Sequence, residues 1–241
     1  FFLLFVQFKN NVFSQAYKPV DGSVDLDLIN NFNYNYSYSQ TIYLQSEINT
    51  AGTITSVWFK YDGYTNVYAT LDIYIGHTSK NNFSSTNDWN ETDDLTQVYA
   101  ARGSARTFSS AGWYEYVLST PFTYNNSQNL IIAVDNNEGN YYSSSAEFEC
   151  AEIQNAYRNL IYRSDYTNPD PNSLPTATSL TQNYVPSLGL SINTGPSITA
   201  NGSISGLNSC SGTAGINNGS FTVSLDGALA NESLIITPPS G

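Results

Sequence analysis

The chain has 241 residues, of which 12% are charged, and its formal net charge is −12 at pH 7. This negative charge argues against nucleic acid or an anionic membrane as a partner, because neither offers an opposite charge to the protein. The sequence is 40% hydrophobic and 14% aromatic, which is enough to form a substantial core and excludes a disordered chain.

The first residues form an apolar run, FFLLFVQF, that is far shorter than the roughly 20 residues needed to span a bilayer. Ser14 and Ala16 place small residues at positions −3 and −1 of a signal-peptidase site. We therefore expect residues 1–16 to be the end of a signal peptide, without membrane insertion of the protein, and the protein to be secreted or displayed at the cell surface. The alternative is a buried N-terminal strand, against which the poor alternation of the run argues.

A tyrosine-rich stretch follows, YNYSYSQTIYLQSEI, with four tyrosines among its first ten residues. Its second half alternates and predicts a β-strand that continues to residue 48. One face of that strand would carry Ile42, Leu44, Ser46 and Ile48. We interpret the stretch as a sheet strand with a tyrosine-rich approach, and a binding surface is the alternative.

Alternation continues through the next segments. TSVWFKY places Val57, Phe59 and Tyr61 on one face, and NVYATLDIYIG alternates most cleanly, with Val67, Ala69, Leu71, Ile73 and Ile75 facing inward. NLIIAV is continuously apolar, which predicts a strand covered on both faces. The predicted core includes Leu71, Ile73, Ile75, Ile131 and Ala133. Short strands punctuated by turn-forming residues predict an all-β, antiparallel, jelly-roll-like β-sandwich over residues 17–195.

The composition changes after residue 195, since Phe221 is the only aromatic residue between 197 and 241. Residues 196–241 predict a few strands separated by Gly-rich turns, too few to close a core of their own. We therefore expect a truncated second β-domain and further domains downstream. Cys150 and Cys210 fall in different predicted domains, and sequence spacing alone establishes no pairing between them.

Six segments in fixed order carry a resemblance to a known family: YSYSQTIYLQSEI, GTITSVWFKYDG, LDIYIGHTSKNNFSSTNDW, PFTYNNSQNLIIAVDNN, IYRSDYTNPDPNSLPTA and YVPSLGLSI. About residues 30–193 resemble the N-terminal β-sandwich module of large secreted Bacteroidota proteins that use type IX secretion, and more loosely the cleaved-adhesin modules of gingipains. The tail resembles the Ig-like repeats that follow in such proteins. The resemblance implies surface display, adhesion or glycan contact, and it supplies no catalytic residues.

Candidate catalytic residues are few. His77 is the only histidine, so a Ser-His-Asp or Cys-His arrangement would have to use it. It follows Gly76 at the end of a predicted strand, where closing a turn is the simpler role. GxSxG, HExxH, P-loop and GxGxxG motifs are all missing from the sequence. A carboxylate pair of the glycosidase kind stays open, because sequence does not give the separation of the two acids. We predict a protein that is not an enzyme.

Two loops are rich in carboxylate and amide oxygens, the ligands that Ca²⁺ prefers. DNNEGN contains Asp135, Asn137 and Glu138, and NETDD covers residues 90–94. Neither loop has EF-hand spacing, and a solvated turn is the alternative. We take Asp135, Asn137 and Glu138 as the candidate ligands of a structural Ca²⁺.

Aromatic residues in or beside predicted loops give the main functional hint: Trp89, Trp113, Tyr114, Tyr141 and Tyr142. Sugars stack on such rings while nearby amides and carboxylates bind their hydroxyls. We predict a secreted or cell-surface adhesion module that binds extracellular glycans or surface proteins. The alternatives are a purely structural spacer or an accessory domain of a larger secreted enzyme. A binder should present at least two of the five residues together on one accessible face.

Overall fold

The computed structural model describes residues 17–63, 66–142 and 147–194, together with the backbone of residues 197–200 and 223–226. The chain divides into two compact units. The first unit comprises residues 14–193, and the second comprises residues 1–13 and 194–241. The predicted signal peptide and Cys210 lie outside the described residues. In the second unit, Ser197–Ala200 pairs with Val223–Asp226 as an antiparallel ladder.

In the described residues of the first unit, the regular structure consists of strands and two short helical turns. The strands are β1 (Tyr17–Val20), β2 (Val24–Leu26), β3 (Tyr36–Tyr43), β4 (Gly52–Tyr61), β5 (Val67–Ala69), β6 (Leu71–Thr78), β7 (Thr96–Tyr99), β8 (Arg106–Phe108), β9 (Gly112–Tyr124), β10 (Asn129–Asn136), β11 (Phe148–Ser164), β12 (Ser179–Pro186) and β13 (Leu188–Asn193). The helical turns are α1 (Gln45–Ile48) and a 3₁₀ turn (Thr92–Asp94).

Eleven of these strands belong to one hydrogen-bonded sheet. It folds into two facing layers, called the first and second sheets, which are joined where Phe148 of β11 pairs with Tyr61 of β4. In the first sheet, β4 lies between β13 and β9, and β1 pairs with β13. In the second sheet the order is β11, β3, β10, β6 and β7. Each pairing is antiparallel, as in the ladder of β10 with β3 and β6. The predicted all-β antiparallel sandwich is therefore confirmed, while its jelly-roll subtype stays a prediction.

Strand β11 belongs to both layers. Its first residues, starting at Phe148, pair with β2, and its last residues, 159–164, pair with β3. β12 follows β11 along both parts, with register shifts between residues 152 and 159. Asn155 and Asn183 adopt positive φ angles of 47° and 69°, the left-handed region that asparagine tolerates better than most residues. The β11–β12 hairpin thus bends from one sheet into the other.

The inner core lies between the two sheets and is rich in aromatic rings. Phe148 is fully buried, and four ring centroids lie within 6.5 Å of its own. Those rings belong to Phe32, Phe59, Tyr61 and Phe108. The predicted inward faces of β4 and β6 contribute to this core, as alternation indicated. Such edge-to-face and stacked pairs add about 0.5–1.5 kcal/mol each beyond the area that they bury.

An outer core covers the opposite face of the second sheet. All eight residues of β10 are buried. Leu130, Ile132 and Val134 join the inner core, whereas Ile131 and Ala133 join the outer one. The outer core is completed by residues 79–95, the first covering segment, and by residues 165–178, the second covering segment. The prediction of a strand covered on both faces is confirmed, and the five predicted core residues are at most 1% exposed.

The predicted strand through residue 48 was wrong in its second half. β3 ends at Tyr43, and Gln45–Ile48 form a helical turn. Glu47 explains the change, because its Oε2 accepts the N–H of Leu44 at 2.8 Å and its carboxylate binds the Arg158 guanidinium through two 2.7 Å hydrogen bonds. Asn49, with φ 45°, ends the turn in the left-handed region. Ile42 packs in the outer core and Ile48 in the inner core, so they do not share a face.

The segment NVYATLDIYIG is also divided, although its inward positions are buried as predicted. β5 pairs with β8 in a small separate sheet, and β6 pairs with β10. Thr70 separates the two strands, because its carbonyl accepts the N–H of Asn137 and its hydroxyl donates to Glu138. Within the described residues, no helix is long and apolar enough to cross a membrane.

Candidate functional site

The structure does not gather the five predicted aromatic residues on one face. Trp113 and Tyr114 are neighbours on β9 and point to opposite sides of the first sheet. The Lys18 amine lies 4.6 Å from the centre of the Trp113 ring, whereas the Tyr114 ring packs 4.7 Å from Phe108 in the inner core. These two residues therefore do not form a joint surface.

Tyr141 and Tyr142 follow β10 and differ in their surroundings. Tyr141 is 63% exposed. Tyr142 packs against the inner core, its ring lies 5.7 Å from that of Tyr68, and its hydroxyl donates to Glu138 at 3.3 Å. Of these two adjacent residues, Tyr141 has the exposed ring, so the pair does not form a surface of two rings on which a sugar could stack.

Trp89, one of the five predicted aromatic residues, lines a cavity. Its ring packs against the outer core, edge-to-face with Tyr38 at 5.6 Å between centroids. The cavity has a volume of about 290 Å³ and lies between the two covering segments. Its lining consists of Asn87, Trp89, Asn90, Glu91, Pro171, Asn172, Ser173 and Leu174.

Buried hydrogen bonds hold the walls of this cavity in place. Gln40, which is fully buried on β3, accepts the N–H of Asn90 at 2.8 Å and donates its amide to the Asn90 carbonyl at 3.0 Å. The Trp89 indole N–H donates to the Pro175 carbonyl at 2.8 Å, and the N–H of Ala177 donates to the Thr86 carbonyl at 2.9 Å. The two covering segments are thereby fixed to each other and to the sheet.

Asn90, one of the lining residues, has a buried side-chain oxygen without a hydrogen-bond partner among the described residues. The residue is 8% exposed, and its Nδ2 donates to the Thr78 hydroxyl at 3.3 Å. Its Oδ1 is buried and has no partner among the described residues. A buried polar atom without a partner costs about 1–3 kcal/mol.

The charge at the cavity is negative. Among the described lining residues, Glu91 is the one that carries a charge. The nearby amine of Lys80 is held by the Asp88 carboxylate at 2.7 Å and by the Trp89 carbonyl at 3.1 Å. The Lys80 amine therefore binds groups of its own segment. Among the described lining residues there is no positively charged side chain that could bind an anionic ligand.

The three candidate Ca²⁺ ligands are each engaged in hydrogen bonds. Asp135 is 3% exposed, and its Oδ2 accepts the Asn137 amide at 3.0 Å. Asn137 Oδ1 in turn accepts the Asn168 amide at 2.6 Å, and the Glu138 carboxylate accepts the hydroxyl of Thr70 at 2.6 Å. In the described part of the chain, no group of three or more His, Cys, Asp or Glu residues is arranged to hold a metal ion.

Asp135 is nevertheless an unusual carboxyl group. Burial raises its pKa to about 7, and the neighbouring carboxylates of Asp72 and Asp170 add to the increase against the lowering effect of the Asn137 amide. Its Oδ1 is buried without a partner among the described residues. A carboxyl group in such surroundings binds its proton near neutral pH.

His77 has neighbours typical of a structural residue. Its Nε2 accepts the N–H of Asn125 at 3.2 Å, and its ring lies 4.9 Å from Phe122 and 5.8 Å from Tyr124. Burial lowers its pKa, which favours the neutral imidazole. Cys150 is a buried free thiol whose pKa is raised by burial, so it is poorly suited to act as a nucleophile.

Most of the cavity lining was missed in the sequence. Trp89 was predicted as a ligand-binding residue, while Asn90 and Glu91 were considered only as part of an oxygen-rich loop. The wall from the second covering segment, residues 171–174, carried no recognised motif. One available signal was Gln40, a polar residue inside an apolar strand, since a buried amide requires hydrogen-bond partners.

Comparison of the chain with protein-family models, with curated proteins and with solved structures finds no match. The site geometry and the sequence are therefore the basis for the function proposed below.

Proposed function

We propose that the protein is a non-catalytic adhesion module, secreted or displayed at the cell surface, that binds a sugar residue in the cavity beside Trp89. The observation that carries the proposal is the composition of this cavity. An indole ring and several amide side chains lie around one opening between the covering segments.

The lining suits a sugar for two physical reasons. A sugar ring has an apolar face that packs on an indole, and hydroxyl groups at its edge that need polar partners such as the side-chain amides of Asn87 and Asn172. The volume of about 290 Å³ is near the lower end of the 300–1,000 Å³ that is usual for small-molecule sites, which favours a single sugar residue. Glu91 and the lack of a lining cation favour a neutral sugar over an acidic one.

Secretion and display complete the proposal. They are supported by the signal-like start of the sequence and by the resemblance of residues 30–193 to the sandwich modules of type IX-secreted Bacteroidota proteins. In this proposal the sandwich has jelly-roll connectivity and precedes Ig-like domains downstream. The sandwich would then present the Trp89 cavity to extracellular glycans.

The test is a glycan array probed with the 241-residue chain, followed by calorimetry with any sugar that binds. We expect binding to neutral glycans, and a loss of affinity of about tenfold or more in Trp89→Ala, because the stacking surface is removed. Trp113→Ala is the matched control, since it removes an indole on the other sheet, and it should bind as the unaltered chain does. Circular dichroism of both variants checks that each is folded.

Failure of the unaltered chain to bind any glycan would overturn the proposal. A structural spacer, or an accessory domain of a larger secreted enzyme, would then be the better description. One observation already favours the spacer: Trp113, Tyr114 and Tyr142 lie at separate places and serve packing or surface contacts. Equal loss of binding in Trp113→Ala and Trp89→Ala would also count against the Trp89 cavity as the site.

A further inference from the structure

Two tyrosine rings and a carboxylate meet beside the small β5–β8 sheet. The ring centroids of Tyr68 and Tyr142 lie 5.7 Å apart, and the two ring planes are tilted by 47°. The Glu138 carboxylate accepts the hydroxyl of Tyr142 at 3.3 Å and that of Thr70 at 2.6 Å. We call Tyr68, Tyr142 and Glu138 the tyrosine–glutamate site.

The tyrosine–glutamate site can be reached from solvent. Tyr68 is 38% exposed, and Glu138 and Tyr142 are half-buried. None of the three residues belongs to the lining of the Trp89 cavity. The site is therefore separate from the proposed sugar site.

The backbone around the site is held in place. Three N–H groups of residues 137–142 donate to carbonyl groups outside this loop. The pairs are Asn137 with Thr70 at 2.8 Å, Gly139 with Asn35 at 3.0 Å, and Tyr142 with Phe32 at 2.6 Å. Tyr68 is fixed by the β5–β8 ladder, where it lies opposite Thr107. A site whose groups are in place before binding loses less entropy when a ligand arrives.

Glu138 brings a negative charge to the site. Its carboxylate accepts hydrogen bonds from two neutral hydroxyl groups. The ion pairs among the described residues are formed by Lys60, Lys80 and Arg158 with other acids, and Glu138 belongs to none of them. The charge of this carboxylate is therefore not matched by a cation of the described part of the chain.

Aromatic rings beside a carboxylate match the chemistry of an organic cation. The face of a tyrosine ring attracts a cation that lies within about 6 Å of the ring centre. A guanidinium group is planar, stacks on aromatic rings and donates its N–H groups to carboxylates. The carboxylate repels an anion, and a neutral ligand leaves its charge unpaired.

We propose that the tyrosine–glutamate site binds the guanidinium group of an arginine side chain from a partner polypeptide. The cation stacks on the tyrosine rings and pairs with Glu138. An open site of three side chains covers too little of a small molecule to hold it firmly, so further contacts of a polypeptide supply the remaining affinity. The net charge of −12 favours a basic partner. This binding goes beyond the proposed function and does not depend on the Trp89 cavity.

NMR titration of the isotope-labelled 241-residue chain with N-acetyl-arginine methylamide tests the site. We expect saturable amide shifts at residues 138–142 with a millimolar dissociation constant, because an exposed cation–π contact and an exposed ion pair are each weak. N-acetyl-citrulline methylamide has nearly the same shape without the charge and should cause no saturable shift. Raising the salt from about 0.02 M to about 0.5 M should weaken the arginine binding several-fold.

Two variants remove the proposed contacts with little change in shape. Glu138→Gln and Tyr68→Leu should each lower the affinity for the arginine derivative by about threefold or more. Glu152→Gln and Tyr166→Leu are the matched controls, since they alter an exposed acid and a tyrosine that is 94% exposed. Both controls, and Trp89→Ala, should bind as the unaltered chain does. Amide spectra of all variants check that they are folded.

Selection from a library of random displayed peptides tests the polypeptide partner. We expect the unaltered chain to enrich arginine-containing peptides that bind more tightly than N-acetyl-arginine methylamide and compete with it, and Glu138→Gln to lose this enrichment. Equal shifts with the citrulline derivative, or equal loss of binding in the control variants, would overturn the site. Enrichment without arginine would overturn the partner. Loss of sugar binding in the whole chain, with these results intact, would refute the proposed function alone.

Discussion

The two faces of the second sheet are built from the same strands but are covered in different ways. The inner face packs on another sheet through interlocking rings such as Phe148 and Phe32. The outer face is covered by two irregular segments that are fixed by buried polar groups, among them Gln40. The unpartnered carboxylate oxygen of Asp135 and the Trp89 cavity lie on the outer side. Binding residues are often found on irregular segments held by a rigid scaffold, and the proposed sugar site lies on such segments.

Two phenylalanine truncations test the contrast most directly. Phe148→Ala removes a ring that four others contact in the inner core, and we expect a loss near the upper end of the usual 3–5 kcal/mol in the free energy of unfolding. Phe83→Ala removes a ring that is 2% exposed in the first covering segment, and we expect about 3 kcal/mol, since an irregular segment can collapse into the space. Urea denaturation measures both.

A larger loss in the free energy of unfolding for Phe83→Ala than for Phe148→Ala would contradict this difference between the two faces. The m-value serves as the internal check, because it should remain unchanged when only stability is altered.

Glu47→Ala tests the point at which β11 crosses between the sheets. Arg158 is 2% exposed, and both terminal nitrogens of its guanidinium bind Glu47. Removal of the carboxylate leaves a buried cation without its partner, for which we expect a loss of about 3–5 kcal/mol. Thermal and urea unfolding measure the effect. The double variant Glu47→Leu with Arg158→Met should recover much of the loss, and equal instability of the single and double variants would show that the ion pair is not the cause.

Asp135→Asn tests the outer face through global stability. The pKa of Asp135 is raised to about 7 in the folded protein, while the unfolded chain loses this proton near pH 4. The folded state therefore holds more protons between these values, and the free energy of unfolding contributed by this group falls as the pH rises through the window. We expect about 2–3 kcal/mol of this loss between pH 5 and pH 8.

The variant should lack that part of the pH dependence and be more stable than the unaltered chain at pH 8. Asp27, whose pKa burial raises to about 6, contributes in the same direction in both proteins. Denaturation curves at several pH values provide the measurement, and parallel curves for the two proteins would contradict the prediction.

Lys18→Ala probes the face of the first sheet that is turned away from the inner core. The Lys18 amine lies over the Trp113 ring at 4.6 Å, and an exposed cation–π contact contributes about 0.5–1 kcal/mol. We expect a loss of that size and no change in sugar binding. In Lys18→Ala, a change in tryptophan fluorescence with unaltered sugar binding would support the assignment of Lys18 to Trp113 and of the proposed sugar site to Trp89. A loss of binding in this variant would move the site to the Trp113 face.

The inner core could be predicted from sequence because it follows a period of two. Val57, Phe59 and Tyr61 on β4, and Leu71 and Ile73 on β6, alternate with residues that are less buried, and the sheet pleat turns that alternation into one buried face. The apolar run of β10 likewise indicated cover on both sides. The pattern could not predict which parts of the chain cover the outer face of β10, namely the two covering segments.

The cavity could not be predicted because its parts are joined by tertiary contacts. Asn90 and Asn172 lie far apart in sequence, and each sits in a segment without a repeating pattern. The α1 turn was missed for a similar reason: Glu47 pairs with Arg158, a residue 111 positions away, and this pairing overrides an alternation that fits a strand. Local propensity carries no information about such distant partners.

The edge of the first sheet has a consequence for how the chain acquires its structure. β1, at residues 17–20, pairs with β13, the last strand of the sandwich, which also pairs with β4. Sheets closed by such distant segments fold slowly, on the millisecond to second scale, because a long loop must be ordered before the contacts form. A chain that emerges from a ribosome or a translocation pore with its N-terminus first cannot complete this sheet until residue 193 is free. The first sheet would therefore be completed only after its final strand is free.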